Sequence, residues 1–143
     1  MSVKNPRVLI VSLFCLLLLP LLAACGSKSV KVEEGTADQT YVMNVNPSSM
    51  NAGEITFDIK NDAASETHEF VIVNTDLNAG SLPLDSEGNV DEEQIEVVDE
   101  AEDIAPGESK TLTVNLPAGH YALICNLPDH YGQGMHADFT VNP

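Results

Sequence analysis

Basic residues are scarce: six Lys and Arg stand against 22 Asp and Glu, a formal charge of −16 over 143 residues. That balance excludes nucleic-acid binding, which needs a positive footprint for phosphates. Tryptophan is absent and cysteine occurs three times, at positions 15, 25 and 125, which offers no disulfide framework of the kind that staples small secreted domains. Long apolar runs are missing beyond the N-terminus. The run from Val8 to Leu19 is interrupted by Ser12 and followed by Pro20, short of the roughly 20 apolar residues that cross a bilayer. The length that remains holds one domain.

What is present at the N-terminus is a targeting pattern. Lys4 and Arg7 precede the apolar run, and small residues Ala23-Ala24 close it, which marks residues 1–24 as a signal peptide. Leu22-Ala23-Ala24-Cys25 resembles the lipobox of bacterial lipoproteins, and the resemblance implies lipidation of Cys25. The expected product is exported and lipid-anchored at the periplasmic or extracellular face of a membrane. Its charge would be 4 − 22 = −18, because two of the six bases leave with the signal. Residues 25–37 are polar and read as anchor and flexible tether; the domain is expected over residues 38–143. Cys15 goes with the signal and Cys25 with the lipid, so Cys125 has no disulfide partner. A lone exported Cys is typically buried, catalytic or metal-bound.

Within the domain the apolar residues keep a period of two. Tyr41, Met43 and Val45 form one such set; Ile55, Phe57 and Ile59 another; His68, Phe70 and Ile72 a third; then Leu112, Val114 and Leu116, and Tyr121, Leu123 and Cys125. Turn signals separate them at Asn46-Pro47, Asn51-Ala52-Gly53, Pro106-Gly107 and Pro117-Ala118-Gly119, so the fold class is an all-β, antiparallel sandwich. One segment resists this pattern. Residues 76–104 read as a solvated acidic insertion, with a short helix expected over Asp91 to Glu100. Asp85, Glu87, Asn89, Asp91 and Glu96 echo a calcium loop, but Val90 stands where such a loop needs Gly.

The chemistry concentrates in Cys125-Asn126-Leu127-Pro128-Asp129-His130-Tyr131-Gly132-Gln133-Gly134-Met135, which puts a thiol, an imidazole and a thioether on one short loop. Sulfur and imidazole donors favour copper over hard cations. His68 supplies a second imidazole from a strand, in the inward phase of Phe70 and Ile72. Read singly, Cys125 would be a core residue, His68 a satisfied strand histidine and Met135 a gap-filler. The combination is what points to a metal. His120 and His136 fall out of phase with inward positions and read as surface residues.

In order and position His68, Cys125, His130 and Met135 match the cupredoxins, and the chain resembles that family over about Asp38 to Pro143. Four residues separate Cys125 from His130 and four more precede Met135, a spacing similar to auracyanin or sulfocyanin. The resemblance implies a Greek-key β-sandwich holding one copper ion that alternates between Cu(II) and Cu(I), with His68, Cys125 and His130 as trigonal ligands and Met135 axial. It implies an electron carrier, not an enzyme, docking through a patch at Leu127, Pro128 and Tyr131 around His130. Expected partners are a c-type cytochrome or a membrane oxidase or reductase, met by a monomer. A copper chaperone or store is the alternative reading. The chain departs from the family at Glu69, where many relatives place an Asn that ties the two ligand loops together.

Overall fold

Apolar residues at every second position make strands that bury one face each, and the computed structural model, which describes residues 29–143, contains nine. They are β1 (Ser29–Glu34), β2 (Met43–Asn46), β3 (Ser49–Asn51), β4 (Gly53–Asn61), β5 (His68–Asn74), β6 (Glu96–Ile104), β7 (Ser109–Leu116), β8 (Gly119–Ile124) and β9 (His136–Asn142). The expected signal peptide with Cys15, and Cys25, the expected site of lipidation, lie outside the described residues. No helix among those described is long and apolar enough to cross a membrane.

The strands form two sheets, ordered β2-β1-β4-β7 and β3-β9-β8-β5-β6, with the chain crossing repeatedly from one to the other. The expected β-sandwich is therefore the fold. Most neighbours are antiparallel, but β1 pairs with β4 and β3 with β9 in parallel, so both sheets are mixed. Phe57 stands at the centre of the interface: its ring lies 5.3 Å from Phe70 and 5.4 Å from Phe139, both on the opposing sheet. Ile55, Ile59, Ile72, Leu116 and Leu123 complete a dry centre. All four expected turns fall between strands.

Three expectations need correction. The tether is not wholly flexible: Ser29–Glu34 pairs with β2 and β4, and Val30 and Val32 are buried in the main core. Only two large apolar residues carry the alternation there, which is why the segment reads as a linker. The helix over Asp91 to Glu100 is a single turn of 3-10 helix, Glu92–Gln94, started by the Asp91 side chain accepting from the Glu93 N–H. From Glu96 the chain becomes β6, an edge strand whose side chains are almost all exposed, so no apolar alternation marks it.

The acidic insertion is correspondingly shorter, and it is packed. Ala79, Leu82 and Val90 join Val71, Val73, Ala122, Ile124 and Tyr131 in a second small core on the outer face of β5 and β8. Strand β5 is thereby covered on both faces, with every residue from Phe70 to Val73 buried.

Candidate metal centre

His68 opens β5 and is fully buried, in the phase of Phe70 and Ile72. Cys125 follows β8 directly, also fully buried, and shares the core with Leu123. The loop then returns on itself. The Cys125 N–H donates to the Met135 carbonyl at 3.0 Å and the Met135 N–H to the His130 carbonyl at 3.2 Å. Asp129 and Gly134 make this possible by taking φ of 69° and 108°, a region open to Asp and Gly at low cost.

The outcome is convergence of three donors. Ligand atoms of His68, Cys125 and His130 all lie within 4.8 Å of one another, and all three residues are buried. The two Nδ1 atoms are 3.2 Å apart, and Cys125 Sγ is 3.3 Å from His130 Nδ1. Met135, fully buried, belongs to the same core cluster as Cys125. His130 retains slight exposure, 7 %, and meets the edge of the Tyr41 ring at 5.0 Å.

Burial sets the protonation states. It pushes the Cys125 thiol up to about 12, partly offset by the Glu69 and Leu127 N–H groups. The His68 imidazole is held down to about 4, chiefly by burial and then by His130, and burial lowers His130 as well. Without a metal the pocket is neutral: a thiol and two unprotonated rings. His68 Nε2 is buried without a hydrogen-bond partner of normal geometry. Two neutral imidazoles turned toward each other and toward a thiol have little reason to converge except to share a cation, and this soft N,N,S set fits copper.

Glu69 takes the linking role. Its N–H donates to Cys125 Sγ at 3.4 Å, and its carboxylate accepts from the Asn126 N–H at 3.0 Å. The strand of His68 and the loop of Cys125 and His130 are thus tied by one residue, despite the absence of Asn at that position. Burial raises the Glu69 carboxyl, the Asn126 bond lowers it, and Glu100, Glu92 and Glu102 raise it again.

Of the three residues expected around His130 as a docking patch, Tyr131 does not reach the surface. Pro128 is exposed and Leu127 half-buried, but Tyr131 is buried, donating its hydroxyl to the Ala79 carbonyl at 2.7 Å and accepting from the Leu82 N–H at 3.0 Å. His120 and His136 are half-buried rather than freely exposed. His120 bridges the Thr75 carbonyl and Asp138, while the His136 ring packs tilted against Tyr131 at 5.2 Å. Among the described residues, no second cluster of metal donors forms around them.

Two residues escaped the sequence reading. Asn126 sits between the ligands and turns out to be hydrogen-bonded on every side; its position directly after Cys125 was the available signal. Glu34 is fully buried with both carboxylate oxygens unpartnered. Its place in the inward phase of Val30 and Val32 could have exposed it.

A fold of two mixed sheets with a His-Cys-His group at one end defines a class of metal-binding sandwich. The profile of the copper binding proteins, plastocyanin/azurin family, matches residues 26–142, and the chain belongs to that family. No curated protein matches the chain closely. Among solved structures it is similar to dithionite-reduced auracyanin from Roseiflexus castenholzii, with 22% identity and a TM-score of 0.59 over 82% of this chain and 98% of that one. It is similar to auracyanin A from Chloroflexus aurantiacus, with 20% identity and a TM-score of 0.54 over 80% and 98% of the two chains. Rusticyanin from Thiobacillus ferrooxidans aligns at 18% identity with a TM-score of 0.61, over 80% and 76%. These likenesses carry the fold.

Proposed function

We propose that the protein is a one-electron carrier with a mononuclear copper site, anchored at the outer face of a membrane. The observation that carries this reading is the buried convergence of His68, Cys125 and His130 donor atoms within 4.8 Å. Those three would hold the ion, with Met135 as the weaker fourth ligand. Copper, when bound, supplies a Cu(II)/Cu(I) couple with soft donors suited to both states.

The chain's own contribution is rigidity and exclusion of water. His68 is fixed by a strand covered on both faces, Cys125 by its N–H bond to Met135, and the two are joined through Glu69. A ligand set that cannot move favours neither oxidation state by rearrangement. The Cys125 thiol must lose its proton for the metal to bind, and the Glu69 N–H directed at Sγ favours the thiolate. His130 is the ligand with an exposed edge, so electrons would enter and leave there, beside Leu127 and Pro128. A weak, brief encounter is what such a small surface supports. Partners are proposed to be a c-type cytochrome or a membrane oxidase or reductase.

The test is a visible spectrum of the purified full-length protein after addition of Cu(II), repeated with Cys125→Ser. An intense band that bleaches on reduction and vanishes in the variant is expected. A folded protein with no such band would overturn the carrier reading in favour of copper delivery or storage. Anchoring is tested separately: Cys25→Ser should release the protein from washed membranes, and retention would refute the lipid anchor.

A further inference from the structure

The segment of residues 75–95 does more than cover the outer face of β5 and β8. Asn126, the residue after Cys125, uses its whole side-chain amide on it: Oδ1 accepts from the Val90 N–H at 2.7 Å, while Nδ2 donates to the Val90 carbonyl at 3.1 Å and to the Glu92 carboxylate at 3.0 Å. The Asn126 N–H faces the other way, to Glu69. At the far end of the same short stretch, the Asp129 N–H donates to Asn89 Oδ1 at 3.2 Å. Beyond His130, the Tyr131 hydroxyl is fixed by Ala79 and Leu82. His130 is therefore flanked on both sides by residues bonded to this segment. Packing is close here as well: a β-carbon on Gly80 would lie 2.8 Å from the His136 ring, which itself packs against Tyr131.

We propose that Asn126 is a positioning residue that clamps the 75–95 segment to the ligand loop, so that this segment braces His130. The inference rests on reading residues 125–135 as the metal-ligand loop. A hydroxyl or short apolar residue at position 126 could not replace the clamp, because one donor and one acceptor are used against the Val90 backbone and a second donor against the Glu92 carboxylate. The task of the segment is carried by the Val90 backbone, the Asn89 amide and the Glu92 carboxylate, and its other acids are secondary to it.

The experiment is amide hydrogen exchange on the metal-free full-length protein and its Asn126→Ala variant. The His130 and Met135 amides, bonded inside the loop to Leu127 and His130 carbonyls, should exchange about tenfold faster or more in the variant, while β4 amides change by less than about twofold. In the copper-loaded protein the electron paramagnetic resonance hyperfine coupling should shift with Asn126→Ala. It should not shift with Leu82→Ala, which trims the same small core and leaves the clamp intact. If Asn126→Ala fails to fold, Asn89→Ala removes the acceptor for Asp129 and should accelerate the His130 amide. Unchanged His130 and Met135 exchange in whichever variant folds would overturn the clamp. Absence of a copper–thiolate band in the parent protein would refute the carrier reading instead, and the metal-free exchange would still decide the clamp.

Discussion

Glu34 is the residue least explained by the needs of a sandwich. It ends β1 fully buried, and neither carboxylate oxygen has a hydrogen-bond partner. Burial, reinforced by Glu69, raises its pKa from 4.5 to about 8. The folded protein therefore holds a proton there that the unfolded chain releases. Its stabilising effect is complete below pH 4.5 and is lost as pH rises toward about 8. The loss runs at up to about 1.4 kcal/mol per pH unit within that window. Urea unfolding of the metal-free protein at pH 5, 6, 7 and 8 should show declining stability, and Glu34→Gln should flatten that decline. Parallel curves for parent and variant would show that Glu34 is not the group responsible. The metal ligands were legible only as a set, because a thiol, an imidazole and a thioether have few other reasons to share a loop with a second imidazole in phase on a strand. Glu34 and Asn126 were not, since an acid or an amide acquires its meaning only from what surrounds it.

At the level of elements, legibility followed the burial of alternate residues. Strands β4, β5, β7 and β8 each place large apolar residues on one or both faces, and their period of two stands out. Strand β6 exposes nearly every side chain because it is held by backbone pairing to β5 at the sheet's edge, and backbone bonds leave no mark on residue choice. Its acids also blunt that edge against pairing with another chain. Strand β1 fell between these cases, with Val30 and Val32 the only large apolar residues in it. Its membership of the core predicts a cost that a tether would not have. Val32→Ala removes two buried methyl groups and should lower unfolding free energy by about 2 kcal/mol, measured by urea titration. A change within about 0.5 kcal/mol, the usual range for surface positions, would return the segment to the linker.

On the scale of the whole molecule, charge is the dominant property, at −16 for the full chain. It is not evenly meaningful. Glu92, Glu100 and Glu102 act electrostatically on Glu69, which touches the Cys125 sulfur through its N–H. Part of the negative surface therefore borders the ligand loop, and a basic redox partner would be drawn to the end of the molecule where His130 keeps its slight exposure. Steering of this kind raises association rates by tenfold or more at low salt, and the gain fades as the screening length shrinks to about 3 Å at 1 M. Stopped-flow oxidation by a basic c-type cytochrome should accordingly slow as salt rises. Local and global charge can be separated with two variants of equal net charge. Glu100→Lys with Glu102→Lys reverses two acids near the ligand loop; Glu33→Lys with Glu54→Lys reverses two exposed acids on the other sheet. Each moves the chain from −16 to −12, because each reversal adds two charges. The first pair should remove most of the salt dependence and the second little of it. Equal losses would mean that the partner responds to net charge alone, and that the acids beside the ligand loop do not orient it.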